Sequence, residues 1–555
     1  MLKKLSKIIN ETGMVMTKTD YLIIGLILLC YTILSFINLG SFTNPQTFYQ
    51  TKKNETLTIS FTKKDYISSV KFYNGLRSGN YFFYASNDNI NYVYLDTYAG
   101  KGSFAWNSEK IRTTAKYIRI VIKGTPGYLG SLSFYNNSNK MLTIKNISTS
   151  ELNTKNIKYL TDEKNYIPKD ISYLNSTYFD EIYFARSAYE YIHHIPVYEW
   201  THPPLGKLIV AIPIALSHTM APFYYRLMGN IAGIIMLYVM YLLAKLLFKK
   251  RSIAILASLM MMFDTFHFAQ TRMGTIDSIL VLFIMLSFYF MYRYFNDHKL
   301  TNLFLSGLFV GCAISTKWTG LFAGLGLCII FLTYIIKHKI LTKKLFFKCL
   351  LFFILVPLSI YISSYVFFPR VGDVYTDNIP NIIKMNKEMY TYHSELKATH
   401  PFSSKAYTWP LSIKPVWLYD NRVDLMTRGT ITNVGNIVIW WFSILTFFFT
   451  FYYLIKKKDW LAFIIVVPIL TMFLPYLLIT RVMFLYHYFP VLPFMMLTIC
   501  YFFTILNNKV KNNHLMYLFI ISFILFFIFY YPAISGLIVN DSYLEGLKFL
   551  NTWIF

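Results

Sequence analysis

Pro203-Pro204-Leu205-Gly206-Lys207-Leu208-Ile209-Val210-Ala211-Ile212-Pro213-Ile214-Ala215-Leu216-Ser217-His218 is the stretch on which the topology turns. It is apolar, yet it is short, opens on two prolines and is broken by Pro213 and His218. A bilayer crossing needs about 20 apolar residues. We read 203–220 as a helix along the outer membrane surface, not a span. Outward from it, about eleven runs are long enough to cross: 21–39, 225–247, 252–268, 278–295, 303–316, 319–336, 345–368, 431–455, 460–479, 485–506 and 515–534.

Loop charge orients them. Lys3, Lys4, Lys7 and Lys18 precede the first run and are expected inside the cell. Alternation then puts Lys249, Lys250 and Arg251, then Arg293 and Lys299, then Lys337, Lys339, Lys343 and Lys344 on the same side. Lys456–Lys458 and the pair Lys509 and Lys511 follow. Every inside loop is basic only if 203–220 does not span. The N-terminal run lacks a small-residue cleavage site, so it reads as a first span rather than a cleaved signal.

Composition agrees. Of 555 residues 55% are hydrophobic and only 14% charged, with 19% aromatic, against roughly a quarter charged in a soluble domain. The formal charge of +26 is absorbed by cytoplasmic loops and does not call for nucleic acid. Cys30, Cys312, Cys328, Cys349 and Cys500 lie in or beside apolar runs with no CxxC spacing, which excludes a disulfide framework and a thiolate zinc site. The wealth of Lys, Asn, Ile, Phe and Tyr suggests a prokaryotic chain, hence a prokaryotic cell membrane.

The expected fold is an α-helical polytopic membrane protein with an inserted extracytoplasmic β-sandwich. The organisation is a cytoplasmic 1–20, a first span 21–39, a sandwich 44–150 and a catalytic loop 151–224. Spans at 225–368, an external loop 369–430, spans at 431–534 and an external tail 535–555 complete it. The sandwich rests on short alternating segments, Thr56–Phe61, Val70–Tyr73, Tyr81–Ala85, Tyr92–Thr97, Lys116–Ile122 and Gly130–Tyr135, punctuated by Gly, Asn and Asp. Tyr84-Ala85-Ser86-Asn87-Asp88-Asn89 with Tyr92, then Lys116-Tyr117-Ile118-Arg119-Ile120, resembles a discoidin-like (galactose-binding-like) sandwich. That resemblance leaves a glycan-binding and a spacer role both open.

Chemistry concentrates in 178–207. Asp180 and Glu181 are adjacent carboxylates just before the interfacial segment, and His202 and Lys207 follow. Acids and bases at a membrane surface are costly unless paired or used. With the loop-charge topology, Asp180, His202, Lys207, Arg226, Asp277, Lys317, His400, Arg481 and His487 all fall at or near external ends of spans.

These motifs resemble the protein O-mannosyltransferase family, integral-membrane glycosyltransferases of the GT-C class that use polyprenyl-phosphate sugars. Asp180-Glu181, His202-Pro203-Pro204-Leu205-Gly206-Lys207, Arg226-Leu227, Asp264, Gln270-Thr271-Arg272 and Asp277-Ser278 match family segments in order. So do Ala313 to Leu321 with Lys317 and Trp318, then His400-Pro401, Trp409-Pro410-Leu411, Lys414-Pro415-Val416-Trp417, Arg481 and Tyr486-His487-Tyr488-Phe489-Pro490. The match covers about 170–500. The eukaryotic β-trefoil of the late external loop has no room in 369–430.

The resemblance implies transfer of a hexose, mannose by the family's habit, from a polyprenyl phosphate to an acceptor hydroxyl, with inversion. Asp180 is expected as the base, with Glu181 the second choice or a residue that orients a neighbour. His202, Lys207, Arg226, Arg272, Asp277, Lys317, Trp318, His400, Trp409, Arg481 and His487 are expected around the donor, its phosphate or the substrates. No metal is required, and a divalent cation remains an alternative. Partners are the bilayer, the lipid-linked sugar, and an acceptor protein or glycan. A lipid or cell-wall glycopolymer acceptor (as in aminoarabinose-type lipid A transferases), a lipid-linked sugar transporter and a membrane-anchored glycan-binding protein are the competing readings.

Overall fold

The computed structural model describes residues 13–151, 155–367 and 378–555. Lys3, Lys4, Lys7 and the 369–377 portion of the late loop lie outside the described residues. The chain divides into one unit of Met1–Ile37, Glu190–Val210 and Leu227–Phe555 and another of Asn38–Tyr189 and Ala211–Arg226.

The first unit is helical. Among the described residues, eight helices are long and apolar enough to cross a membrane: Lys18–Phe36, Pro222–Phe248, Asp277–Asp297, Gly320–His338, Lys343–Ser364, Ile437–Lys457, Trp460–Leu478 and His514–Ser535. A bent pair, Arg251–Met262 and Thr265–Thr271, makes nine if it is one span. The remaining expected runs fall on Leu300–Thr316 and Leu492–Val510. Two boundaries move. Residue 431 belongs to a strand, Thr427–Thr432, and 485 to a short 3-10 turn, Leu485–Tyr488, so those helices start at Ile437 and Leu492. The Pro203–His218 stretch folds as a helix over Leu205–Ser217, with Pro213 inside it. Thirteen residues rise only about 20 Å, against a hydrocarbon core of about 30 Å.

The run at 252–268 is not one straight helix. It bends by 59° after Met262, because Asp264 takes an extended conformation and caps the second piece, accepting the His267 amide at 2.8 Å. Close helix contact has a sequence cause as well. A Cβ on Gly307 would lie 2.1 Å from the Phe352 carbonyl oxygen. Only glycine lets Leu300–Thr316 approach Lys343–Ser364 so closely.

At the N-terminus of Lys18–Phe36, Thr17 and Asp20 form a capping box. Asp20 does more. It is fully buried, accepts Arg251 Nε at 2.8 Å and the Tyr241 hydroxyl at 2.7 Å, and sits 3.3 Å from Lys245 Nζ. Arg251, expected in a basic inside loop, is buried and paired. A compact hairpin, β8 Trp417–Arg422 and β9 Thr427–Thr432, joins β10 Ile538–Asn540 in a sheet of order β10-β9-β8.

The second unit holds a seven-stranded, sandwich-like sheet: β1 Tyr49–Gln50, β2 Thr56–Asn74, β3 Asn80–Ser86, β4 Val93–Ala99, β5 Ala105–Ile122, β6 Tyr128–Tyr135 and β7 Ile144–Thr149. Period-2 patterning explains its core: Leu57, Ile59 and Phe61 of β2 face inward with Ile118, Ile120 and Ile122 of β5 and Tyr81 and Phe83 of β3. Two segments expected as separate strands, Thr56–Phe61 and Val70–Tyr73, are one strand. The charged Lys63-Lys64-Asp65 between them breaks the alternation, and the register with β5 shifts between Ser60 and Asp65 and again between Ile67 and Ser69. The early half of β2 pairs with β7 and the late half with β6, so the strand has a different neighbour along each half.

Removing the Asp20 carboxylate would leave Arg251 and Lys245 buried without their counter-charge. We expect Asp20→Ala to destabilise the helical unit by about 3–5 kcal/mol. The check is the unfolding midpoint in detergent; an unchanged midpoint would refute the assignment.

Candidate active site

Two clusters of expected residues are built independently, one in each unit. In the sandwich-bearing unit, Phe179 takes a left-handed φ of 47°, which turns the chain into the helix Glu181–Ile192. Asp180 is half-buried at the mouth of that helix, and its carbonyl accepts the Tyr183 and Phe184 amides. Glu181 points elsewhere. Both its oxygens receive Arg226, Nε and Nη2 each at 2.7 Å, and both residues are fully buried. Arg226 further donates to the Leu39 and Ser176 carbonyls at 2.9 and 3.1 Å. This planar two-point pair is the strong form of an ion pair. Glu181 and Arg226, expected at the catalytic centre and the donor phosphate, are committed to each other instead. Of the adjacent acids, Asp180 is the one left nearer solvent.

In the helical unit, His202, Lys317, Trp318, Arg481 and His487 line a single cavity of about 350 Å³, together with His393, Tyr390 and Tyr476. Each arrives on a chain reversal. Lys317 ends the helix Leu300–Thr316 in extended conformation, its amide on the Ala313 carbonyl at 3.0 Å. The next helix starts at Gly320, where a Cβ would come within 2.6 Å of the Ile314 nitrogen. That glycine allows the tight reversal that presents Lys317 and Trp318. Lys317 Nζ donates to Asp277 Oδ1 at 2.8 Å, and Asp277 opens its own helix, where a carboxylate is favoured. Asp277 thus sits behind Lys317 as its counter-ion.

Arg481 lies between Leu478 and the Leu485–Tyr488 turn. It makes no ion pair among the described residues, and burial draws its guanidinium below the usual range. His487 stacks on Trp409, with ring centroids 6.0 Å apart and planes at 15°. Trp409 has 0% exposure, so it is a backing ring and not a surface for a sugar. Burial, with Lys317 and Arg481 nearby, pushes the His487 imidazole well down. Trp318 donates its Nε1–H to the Tyr361 hydroxyl at 3.0 Å.

The other expected residues are placed away from this cavity's lining. Lys207 has no exposed side-chain surface and donates to Glu199 Oε2 at 2.8 Å. Arg272 donates to the Ser35 and Ile37 carbonyls at 3.1 and 2.5 Å, tying the end of the first helix. His400 is exposed and packs against Phe484, centroids 5.0 Å apart.

Two residues escaped the sequence reading. Glu199 joins His202 and Lys207, with Oε1 2.9 Å from His202 Nδ1. Burial alone would raise its carboxyl, but Lys207 and then His202 hold it below the ordinary carboxylate range. An acid three residues before a motif histidine was the available signal. His393 comes from the helix Ile379–Glu395 and donates Nε2–H to the Thr201 carbonyl at 2.7 Å. No spacing in the sequence links positions 201 and 393. Among the described residues, no group of three His, Cys, Asp or Glu side chains is arranged for a metal ion.

Burial, with His202 and the cations nearby, pushes His393 from 6.5 down to about 4. The unfolded chain then binds the extra proton between those two values. Folding stability is therefore fully present above the unfolded value and declines as pH falls through that window. Unfolding midpoints of His393→Gln across pH should show a shallower acid decline than the parent; identical slopes would contradict it.

Comparison with known proteins fits this architecture. The family model "Dolichyl-phosphate-mannose-protein mannosyltransferase" matches residues 168–370. The model of the "C-terminal four TMM region of protein-O-mannosyltransferase" matches residues 379–553. The polyprenol-phosphate-mannose–protein mannosyltransferase of Mycolicibacterium smegmatis is 22% identical over 450 residues, covering 68% of this chain and 87% of that one. Its Corynebacterium glutamicum namesake is 24% identical over 303 residues, 43% of this chain and 58% of that one. The fold matches a chain of the Saccharomyces cerevisiae protein O-mannosyltransferase Pmt1-Pmt2 complex bound to the sugar donor. The TM-score is 0.59 at 14% identity, covering 68% of this chain and 89% of that one. With motifs, helical architecture and two consecutive family models in agreement, the chain belongs to the protein O-mannosyltransferase family and is a glycosyltransferase of the GT-C class.

Proposed function

We propose that this protein moves a mannosyl group from a polyprenyl-phosphate donor to a serine or threonine hydroxyl of a protein. The reaction takes place at the extracytoplasmic face, with the N-terminus inside the cell. One observation carries the reading: Lys317 and Arg481 line the same cavity, and Arg481 makes no ion pair among the described residues. A half-buried guanidinium without a carboxylate is a ready partner for phosphate. Lys317 is balanced by Asp277, so the pair of cations leaves a net positive wall suited to an anionic lipid phosphate.

The chemistry follows. The acceptor oxygen attacks the anomeric carbon as the carbon–oxygen bond to phosphate breaks, inverting that carbon. The acceptor proton passes to a carboxylate, for which Asp180 is the choice, since Glu181 is held by Arg226. The departing phosphate gathers negative charge, and Lys317 and Arg481 stabilise it better in a dry site than water could. His487 and Trp409 form a stacked backing for that wall.

Asp180→Asn should lower mannosyl transfer from a labelled polyprenyl-phosphate donor by about 10²–10⁴-fold while donor binding stays near the parent's. Transfer at the original rate would exclude Asp180 as the base. Arg481→Met should cost about 10²–10³-fold in kcat/KM, with weakened donor binding. Undiminished binding and turnover would remove Arg481 from the phosphate site.

A further inference from the structure

The helix Asp277–Asp297 connects two cavities. Its first residue, Asp277, meets Lys317 at the cavity described above. Its last turns bring Arg293 and Asp297 to a second cavity of about 460 Å³. Its 21 residues rise about 30 Å, the thickness of the hydrocarbon core. The second cavity therefore lies at the opposite membrane face. The helix Pro222–Phe248 adds Tyr238 and Lys245 to its wall, and Lys18–Phe36 adds Tyr21. The Gly13 amide donates to the Lys249 carbonyl at 2.7 Å, and the segment 14–16 that follows forms part of the lining.

The charges around this cavity do not balance. Asp20 is the one acid beside both Arg251 and Lys245. Its oxygens accept Arg251 at 2.8 and 3.1 Å, the Tyr241 hydroxyl at 2.7 Å, and the Thr17 amide and hydroxyl at 2.9 and 2.8 Å. Lys245 is the most distant of these partners, at 3.3 Å. One carboxylate thus faces two cations, and Lys245 is 1% exposed, so water answers little of the excess. Arg293, 42% exposed, stands 3.9 Å from Asp297. The Asp297 oxygens are taken by Asn302 Nδ2 at 3.0 and 2.8 Å and by the Lys299 amide at 3.0 Å. The wall is left with a net positive charge.

We propose that this cavity binds the phosphate of an anionic phospholipid, with Lys245 and Arg293 as its charge partners. A phosphodiester without an amine supplies the negative charge that the protein lacks here. Basic pockets between spanning helices hold lipid headgroups in this way, and a guanidinium suits phosphate geometry. The rim fits the rest of the lipid: Met14, Val15 and Tyr21 are exposed beside the cavity and offer apolar surface to acyl chains. Free inorganic phosphate would meet the same cations but leave that rim bare. With the N-terminus inside the cell, as proposed above, the lipid belongs to the cytoplasmic leaflet.

The test is native mass spectrometry of the purified full chain in detergent, titrated with phosphatidylglycerol, phosphatidylcholine or inorganic phosphate. Unfolding midpoints are read in parallel. The variants are Lys245→Met, which leaves Asp20 paired with Arg251, and Arg293→Gln at the partly exposed position. Lys344→Gln, an exposed lysine outside this cavity, is the control. We expect phosphatidylglycerol to bind about tenfold more tightly than phosphatidylcholine and to raise the midpoint, and inorganic phosphate to do neither. Lys245→Met and Arg293→Gln should each weaken phosphatidylglycerol binding about tenfold, the scale of one lost hydrogen bond to a charged group. Lys344→Gln should leave it at the parent's value. Equal binding of the two lipids, parental affinity in both cavity variants, or an equal loss in Lys344→Gln would each overturn the proposal. A midpoint raised as much by inorganic phosphate would give the cavity to a free anion and overturn the lipid assignment. None of these readouts uses mannosyl transfer, so failure here leaves the transfer reading standing.

Discussion

A charge buried in an apolar protein must be answered by an opposite charge or by hydrogen bonds, and that constraint organises this molecule. Among its pairs, Asp20 answers Arg251 and Lys245, Glu181 answers Arg226, Glu199 answers Lys207, and Asp277 answers Lys317. With only 27 acids against 53 lysines and arginines, the acids are scarce, and these sit fully or nearly buried where cations would otherwise be stranded. Such pairs add little net stability compared with apolar packing, but breaking one is costly. They therefore fix which helix ends meet and in what register.

The same rule separates cations spent on buried partners from those that line the cavity. Lys207 and Arg226 are spent on partners within their own units, and Arg272 on backbone carbonyls. Lys317 keeps a counter-ion yet still lines the cavity, and Arg481 lines it without one among the described residues. A phosphate-binding wall needs positive potential that is already desolvated and oriented, because reorganising it during reaction would cost free energy. Aromatic stacking supplies the rigidity: Trp409 stacks on His487, and Tyr486 stacks on it as well at 4.7 Å between centroids.

Much of this was legible in one dimension. Spans, a non-spanning Pro203–His218 helix and a strand-rich insert follow from hydropathy, proline placement and period-2 alternation, all of which act over short range. Motif order pointed to the family because Asp180-Glu181, the His202–Lys207 segment and Ala313 to Leu321 are local patterns. Roles were less legible. Glu181, Arg226, Trp409 and Arg272 look as reactive in a sequence as Asp180 or Arg481 do. His393 carries no local mark, and Glu199 only its place three residues before His202.

The amino-acid order by itself determined the helical membrane architecture, the sandwich-like insert and the identity of the charged motifs, because burial of backbone and apolar surface is decided residue by residue along the chain. Only the tertiary structure decided which charges are paired in the interior and which line the cavity. Pairing joins residues as distant in sequence as Asp20 and Arg251 or Asp277 and Lys317, and Coulomb attraction depends on separation in space, to which sequence distance is blind.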